Sequence, residues 1–148
     1  LLSLLLLLGL ALQWVLHERH RIAALRPDFK PLLETLCQPL GCRIEPMRWI
    51  DALNIDSTTF ARRGSGRYGL EVVVRNASAF ELALPALELS LTDTREQLLL
   101  RRVILPAELG VPSGLVPAQG QLTLRLDIAV EAPQADALAG YRTLLFYP

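Results

Sequence analysis

The chain has 148 residues, and its fifteen Lys and Arg are balanced by fifteen Asp and Glu, so its formal net charge is zero. Phosphate contacts dominate nucleic-acid affinity and call for a basic excess, so this composition argues against a nucleic-acid partner. With its apolar opening set aside, the remainder is long enough for one small domain with a core of its own.

The opening stretch, Leu1–Leu16 (LLSLLLLLGLALQWVL), is apolar and carries no charge. Such a run reads as a transmembrane helix that anchors the chain to a lipid bilayer. A helix rises about 1.5 Å per residue and a span needs roughly 20 apolar residues, so the run falls a little short. It begins without Met, and a few apolar residues upstream are expected to complete the span. Trp14 suits the aromatic belt at a membrane–water interface. A cleaved signal peptide would carry a small-residue cleavage site of A-x-A type, and Gln13-Trp14-Val15-Leu16 supplies none. A buried core helix or an interfacial helix would show a polar face, which this run lacks.

Residues 17–30 read as a polar juxtamembrane stem. His17 and His20 stand three apart around Glu18, whereas a zincin helix needs its histidines four apart. Pro31 fits the start of a short helix in which Leu32, Leu33 and Leu36 share one face. Cys37 and Cys42 follow in LCQPLGC. Four intervening residues rule out a thioredoxin-like centre, and no nearby His completes a zinc set. A local disulfide is the reading, worth about 2 kcal/mol by chain entropy, and it requires an oxidising compartment. The basic stem (His17, Arg19, His20, Arg21, Arg26, Lys30) pulls the other way, because the positive-inside rule favours a cytoplasmic location. The cysteine pair decides the expectation in favour of the periplasm, with the anchor in the inner membrane.

From about Trp49 the apolar period becomes two, as in half-buried strands. Leu53–Phe60 and Tyr68–Arg75 flank a basic turn at Arg62–Arg67. Phe80–Leu84 makes a short strand stopped by Pro85, and further strands cover Leu87–Leu91 and Leu98–Ile104, the last with helix as an alternative for Leu98–Leu100. An irregular stretch, Pro106–Gly120, leads to Gln121–Val130, and the final strand is Tyr141–Tyr147. The predicted fold is mainly β, an antiparallel β-sandwich of the immunoglobulin/fibronectin kind with six or seven strands over 48–148. It is preceded by the membrane helix (1–16) and by the stem, short helix and cysteine loop (17–47).

Several features invite a functional reading. Gly64, Gly66 and Gly69 match G-x-G-x-x-G, but a dinucleotide site needs a helix to follow and here a strand follows. Arg62, Arg63 and Arg67 could contact an anionic surface, or simply form a solvated hairpin tip. Arg101 and Arg102 interrupt an apolar run, as edge strands do to avoid pairing with other chains. Asn76-Ala77-Ser78 has the form of a glycosylation sequon and reads as a turn. Leu109, Val111, Leu115 and Val116 make the Pro106–Gly120 loop a possible partner-binding loop, with capping of the core as its alternative. Both histidines lie in the stem, so no Ser-His-Asp set assembles in the β region, and there is no G-x-S-x-G elbow. No catalytic residue, metal site or cofactor is expected.

Four boxes occur in order: LCQPLGC, RWIDALNIDSTTF, EVVVRNASAFELALPALELSLTD and YRTLLFYP, with RRVILPAEL before the last. Together they resemble the proteobacterial family called domain of unknown function 3426, over roughly Lys30 to Pro148. In that family the domain typically follows a cytoplasmic zinc ribbon, a variable linker and one membrane helix. The resemblance implies a periplasmic C-terminal domain and transfers no catalytic residue, and the zinc-ribbon cysteines are missing from this sequence. The expectation is a non-enzymatic envelope protein that binds another protein through its β domain. The alternative is a transmembrane sensor reporting an envelope signal to a cytoplasmic part.

Overall fold

The change of period near Trp49 coincides with a division of the chain. The computed structural model describes residues 2–148, in one unit ending at Met47 and a second spanning Arg48–Pro148.

In the first unit, α1 (Leu2–His17) buries none of its residues. Its 16 residues cover about 24 Å, short of a hydrocarbon core about 30 Å thick. No single helix among the described residues is long and apolar enough to cross a membrane. The helix α2 (Arg19–Leu25) passes that test together with α1, the two being bent by 69°. Glu18 leaves helical geometry at the bend, and Arg19 Nη1 donates to the Leu16 carbonyl at 2.9 Å, satisfying one of the orphan acceptors at a helix C-terminus. Within the predicted stem, Arg19–Leu25 is therefore helical but set at an angle to α1.

A third helix, α3 (Lys30–Cys37), carries Pro31 in its first turn, where the missing N–H has no partner to lose. A 3₁₀ turn, Gln38–Leu40, and Gly41 at φ +64° reverse the chain, and Cys37 and Cys42 form a disulfide with their Cα atoms 4.8 Å apart. Only Leu33 of the three predicted face residues is buried (5%), whereas Leu32 and Leu36 remain 56% and 42% exposed.

The second unit is mainly β, with every strand pairing antiparallel. Its strands are β1 (Leu53–Gly64), β2 (Arg67–Asn76), β3 (Leu82–Ala83), β4 (Ala86–Thr92), β5 (Leu98–Ile104), β6 (Leu115–Val116), β7 (Gln121–Ala129) and β8 (Gly140–Phe146). They make three sheets with orders β1-β2-β7, β5-β4-β8 and β3-β6. The strand count exceeds the expected six or seven because the apolar pair Leu115-Val116 closes a two-residue ladder with Leu82-Ala83. That ladder is also all that remains of the predicted Phe80–Leu84 strand.

Each three-stranded sheet has a central strand that alternates as its sequence demands. On β2, Leu70, Val72 and Val74 are at most 1% exposed, and on β4, Leu87, Leu89 and Leu91 are at most 2% exposed. Leu124 and Ile128 of β7, Ile104 of β5 and Leu145 of β8 are also buried. Each such side chain contributes about 1.5–3 kcal/mol relative to exposure, which gives these two strands the largest share of the core. The segment Leu98–Leu100 is strand, paired with Leu91 and Thr92. Between β7 and β8 a single helical turn, α4 (Gln134–Ala137), interrupts the loop.

Candidate partner-binding face

Alternation on β4 sends Glu88, Ser90 and Thr92 to the side of its sheet away from Leu87, Leu89 and Leu91. Antiparallel register sets their neighbours: Ser90 lies opposite Arg101 of β5 and Arg142 of β8, and Glu88 lies opposite Val103 and Leu144. Directly opposed residues share a face, so a row Arg101–Ser90–Arg142 crosses the sheet. The row borders a hollow of about 840 Å³ that Thr92, Leu98, Tyr141 and Leu144 also line. Gly140 opposes Thr92, and a Cβ there would come within 2.8 Å of the Thr92 hydroxyl. The bare position keeps that end of the hollow open.

The polar groups here are unequally committed. Arg101 Nε lies 3.4 Å from Glu88 Oε1. Arg142 makes no ion pair among the described residues and is exposed. Ser90 is only 7% exposed. At the rim, Leu98 and Leu144 are 52% and 56% exposed, large values for Leu in strands. The arrangement presents one uncommitted guanidinium beside exposed apolar side chains, while the Ser90 hydroxyl is nearly buried and donates to Glu88 Oε1 at 3.5 Å.

Both β5 and β8 are sheet edges. At the start of β8, the Tyr141 hydroxyl donates to the Thr58 carbonyl of β1 at 3.1 Å, and its ring lies 5.2 Å from Phe60. At its end, the Tyr147 hydroxyl donates to the Ala83 carbonyl at 2.6 Å, beneath the Arg48 guanidinium 5.7 Å above the ring. Burial pushes the Tyr147 phenol up, offset in part by the Trp49 backbone and the Arg48 charge. Thr143–Phe146 lies between these two tethers.

Of the residues singled out by sequence, Arg101 borders the hollow and the others lie elsewhere. In the Pro106–Gly120 loop, Leu109 (3% exposed) and Val116 (0%) are core residues. For these two the binding reading is corrected: a 3₁₀ turn, Pro106–Leu109, and the β3-β6 ladder turn them inward. Val111 and Leu115 are half-buried. Arg62, Arg63 and Arg67 are exposed around the β1-β2 hairpin, where Arg62 Nε donates to the Gly64 carbonyl at 3.2 Å and the Arg63 side chain lies across Gly69. The three arginines share a hairpin but converge on no common point that a contact defines. Arg102 pairs with Glu108 at 3.3 Å, and the Glu108 carboxylate also accepts the Leu105 backbone N–H at 2.9 Å. That backbone bond first, and the arginine second, hold its pKa below the usual carboxylate value. In the first unit, His20 Nδ1 accepts the Glu45 backbone N–H at 2.9 Å.

The hollow escaped the sequence reading because Ser90, Arg101 and Arg142 are neighbours only through the β5-β4-β8 order. The local signals were the alternation of Glu88, Ser90 and Thr92 with leucines and the interruption of an apolar run by Arg101.

A family model described as "Protein of unknown function (DUF3426)" matches residues 50–145. No curated protein and no solved structure matches the chain.

Proposed function

The chain belongs to this family of unknown function, and from its own residues we propose that it is a non-enzymatic envelope protein. One helix anchors it in the inner membrane, and a periplasmic β-sandwich binds another protein. In this reading the sandwich consists of β1-β2-β7 facing β5-β4-β8, as in immunoglobulin- and fibronectin-like domains. The buried leucines and valines of β2 and β4 support that packing. The anchor rests on the charge-free leucine run of α1, with Trp14 near its end. The compartment rests on the Cys37–Cys42 disulfide, since such bonds persist in oxidising surroundings.

The observation that carries partner binding is the hollow beside Ser90, with Arg142 uncommitted and Leu144 exposed. An extended segment laid there can place a carboxylate on Arg142 and an apolar side chain against Leu144. It can also add backbone hydrogen bonds along the Thr143–Phe146 edge. The test is a photo-cross-linking residue at Leu144 in intact cells, with a second at Arg63 as a control. A partner trapped only from Leu144, and lost on Arg142→Glu, is expected. The same random neighbours from both positions would sink the proposal. The compartment is tested by alkylating thiols in intact cells: both cysteines should stay blocked until reductant is added, and immediate labelling would move the domain to the cytoplasmic side.

A further inference from the structure

The first unit carries an apolar stripe that its own packing leaves uncovered. From Pro27 to Leu40 the chain is helical throughout, as a 3₁₀ turn (Pro27–Phe29), α3 and a second 3₁₀ turn (Gln38–Leu40). Phe29, Leu32, Leu36 and Leu40 recur along it at steps of three and four, so they share one face. They are 47%, 56%, 42% and 60% exposed, and Leu25 at the end of α2 is 51% exposed. The segment has a different face for its internal contacts, since Leu33 and Cys37 are buried at 5% and 2% beside α2, where Ala23 is 8% exposed. One apolar face is ordinary for a surface helix, and a second, outward one needs a solvent other than water.

Three features say which. The stripe follows directly on α1, whose leucines from Leu2 to Leu12 are all exposed. The turn between α1 and α2 is 69°, so a chain leaving the bilayer along α1 is redirected toward the plane of its surface. That turn is pinned: Arg19 donates to Leu16 O (2.9 Å) and to Arg43 O (3.3 Å), and His20 holds the Glu45 N–H. Lastly, Arg21, Arg26 and Lys30 are exposed along the same stretch, where lipid phosphates offer the complementary charge.

We propose that residues 19–42 form an interfacial platform lying in the headgroup region of the bilayer that holds α1. Phe29, Leu32, Leu36 and Leu40 enter the acyl boundary, and Arg21, Arg26 and Lys30 meet lipid phosphates. The platform rests on the anchor reading of α1 and assigns the adjoining segment a lipid ligand. The Cys37–Cys42 bond then locks the far end of the inserted run, in the loop that carries the exposed Leu40.

The test uses the whole chain in phosphatidylethanolamine–phosphatidylglycerol vesicles whose acyl chains carry bromine, a contact quencher of indole. In a Trp14→Phe, Trp49→Phe background, an indole at Leu36→Trp or Leu32→Trp should be quenched several-fold more than one at Glu34→Trp on another side of the same helix. Equal quenching at Leu36→Trp and Glu34→Trp overturns the platform. So does an indole at Leu36→Trp that both lipid bromine and aqueous acrylamide fail to reach, because protein then covers the stripe. Native Trp14, read in a Trp49→Phe chain, separates the two readings. If Trp14 escapes quenching, the anchor itself falls. If Trp14 is quenched and the Leu36→Trp and Leu32→Trp indoles are not, only the platform falls.

Discussion

The side-chain carbonyl of Asn76 accepts two hydrogen bonds from Ser78, one from its backbone N–H at 2.9 Å and one from its hydroxyl at 2.7 Å. The Asn76 amide nitrogen donates the other way, to the carbonyls of Phe80 (2.7 Å), Pro117 (3.1 Å) and Val116 (3.3 Å). Asn76 is 0% exposed, so the end of β2, the following turn and the β6 segment are joined through one side chain. Asn76→Ala removes every one of these partners at a buried site and should cost about 2–4 kcal/mol in urea unfolding. Asn76→Asp should cost at least as much, because a carboxylate cannot donate to three carbonyls. A loss under about 0.5 kcal/mol for Asn76→Ala would show that water replaces the amide freely. The sequon of the sequence is, in the fold, a buried knot with no side-chain amide left for modification.

Gly66 and Gly69 of the glycine motif make different demands, which mutation separates. Gly66 sits at φ +65° in the β1-β2 turn, and a Cβ there would lie 2.7 Å from the Val130 carbonyl. Gly66→Ala should therefore cost about 1–3 kcal/mol. At Gly69 an added Cβ meets only the movable end of Arg63, so Gly69→Ala should stay within about 0.5 kcal/mol of the parent. Thermal melts of the two variants decide between a turn requirement at one glycine and a general need for both.

Within the Pro106–Gly120 loop, capping of the core and contact with a partner make opposite demands. Leu109→Ala empties a buried site and should lower stability by about 2–4 kcal/mol. Val111→Ser, at a half-buried position, should change it by about 1 kcal/mol or less. If Leu109→Ala proves neutral in denaturant titration while weakening partner capture, the loop regains its binding role.

Tyr147 makes the β domain sensitive to alkaline pH. Its phenol is held above its ordinary value of 10 by burial, so above that pH the unfolded chain releases this proton before the folded chain does. The stabilisation is fully present below about pH 10 and declines as pH rises through the raised native value. Tyr147→Phe should lose about 1 kcal/mol near neutrality, from the bond to the Ala83 carbonyl, and should flatten the decline. Unfolding titrations at neutral and alkaline pH measure both effects, and an unchanged slope in the variant would remove Tyr147 from the account.

Opening the Cys37–Cys42 bond should act locally. The loop it closes is short, and releasing it should destabilise its surroundings by about 2 kcal/mol. Amide exchange after reduction should rise over residues 30–42 while β2 and β4 keep their protection. Exchange rising equally in those strands would contradict the division of the chain at Met47.

The sequence was most informative where structure is local. Period-two alternation located β1, β2, β4, β5, β7 and β8 to within a few residues, because each such strand shows one face to the core. The cysteine loop was legible because proline and glycine between close cysteines favour a turn. Burial of Leu109 and Val116 was not legible, since an apolar residue in a loop reads the same whether it points in or out. The row Arg101–Ser90–Arg142 was hidden for a different reason: it exists only once β5 and β8 have both settled against β4. Nor could spacing alone tell that Leu33 turns inward while Leu32 and Leu36 remain exposed.

The strand order also dictates when folding can occur. The ion pair Glu71–Arg125 joins residues 54 apart along the chain and marks the ladder between β2 and β7. While the chain is being made, β2 therefore waits for its second neighbour until most of the β unit has emerged, and β4 waits over a similar length of chain for β8. Pairings this distant are slow to form compared with helices. The two strands richest in buried leucine and valine thus stay half-paired until those late strands emerge, and their open edges are exposed to mispairing in that interval.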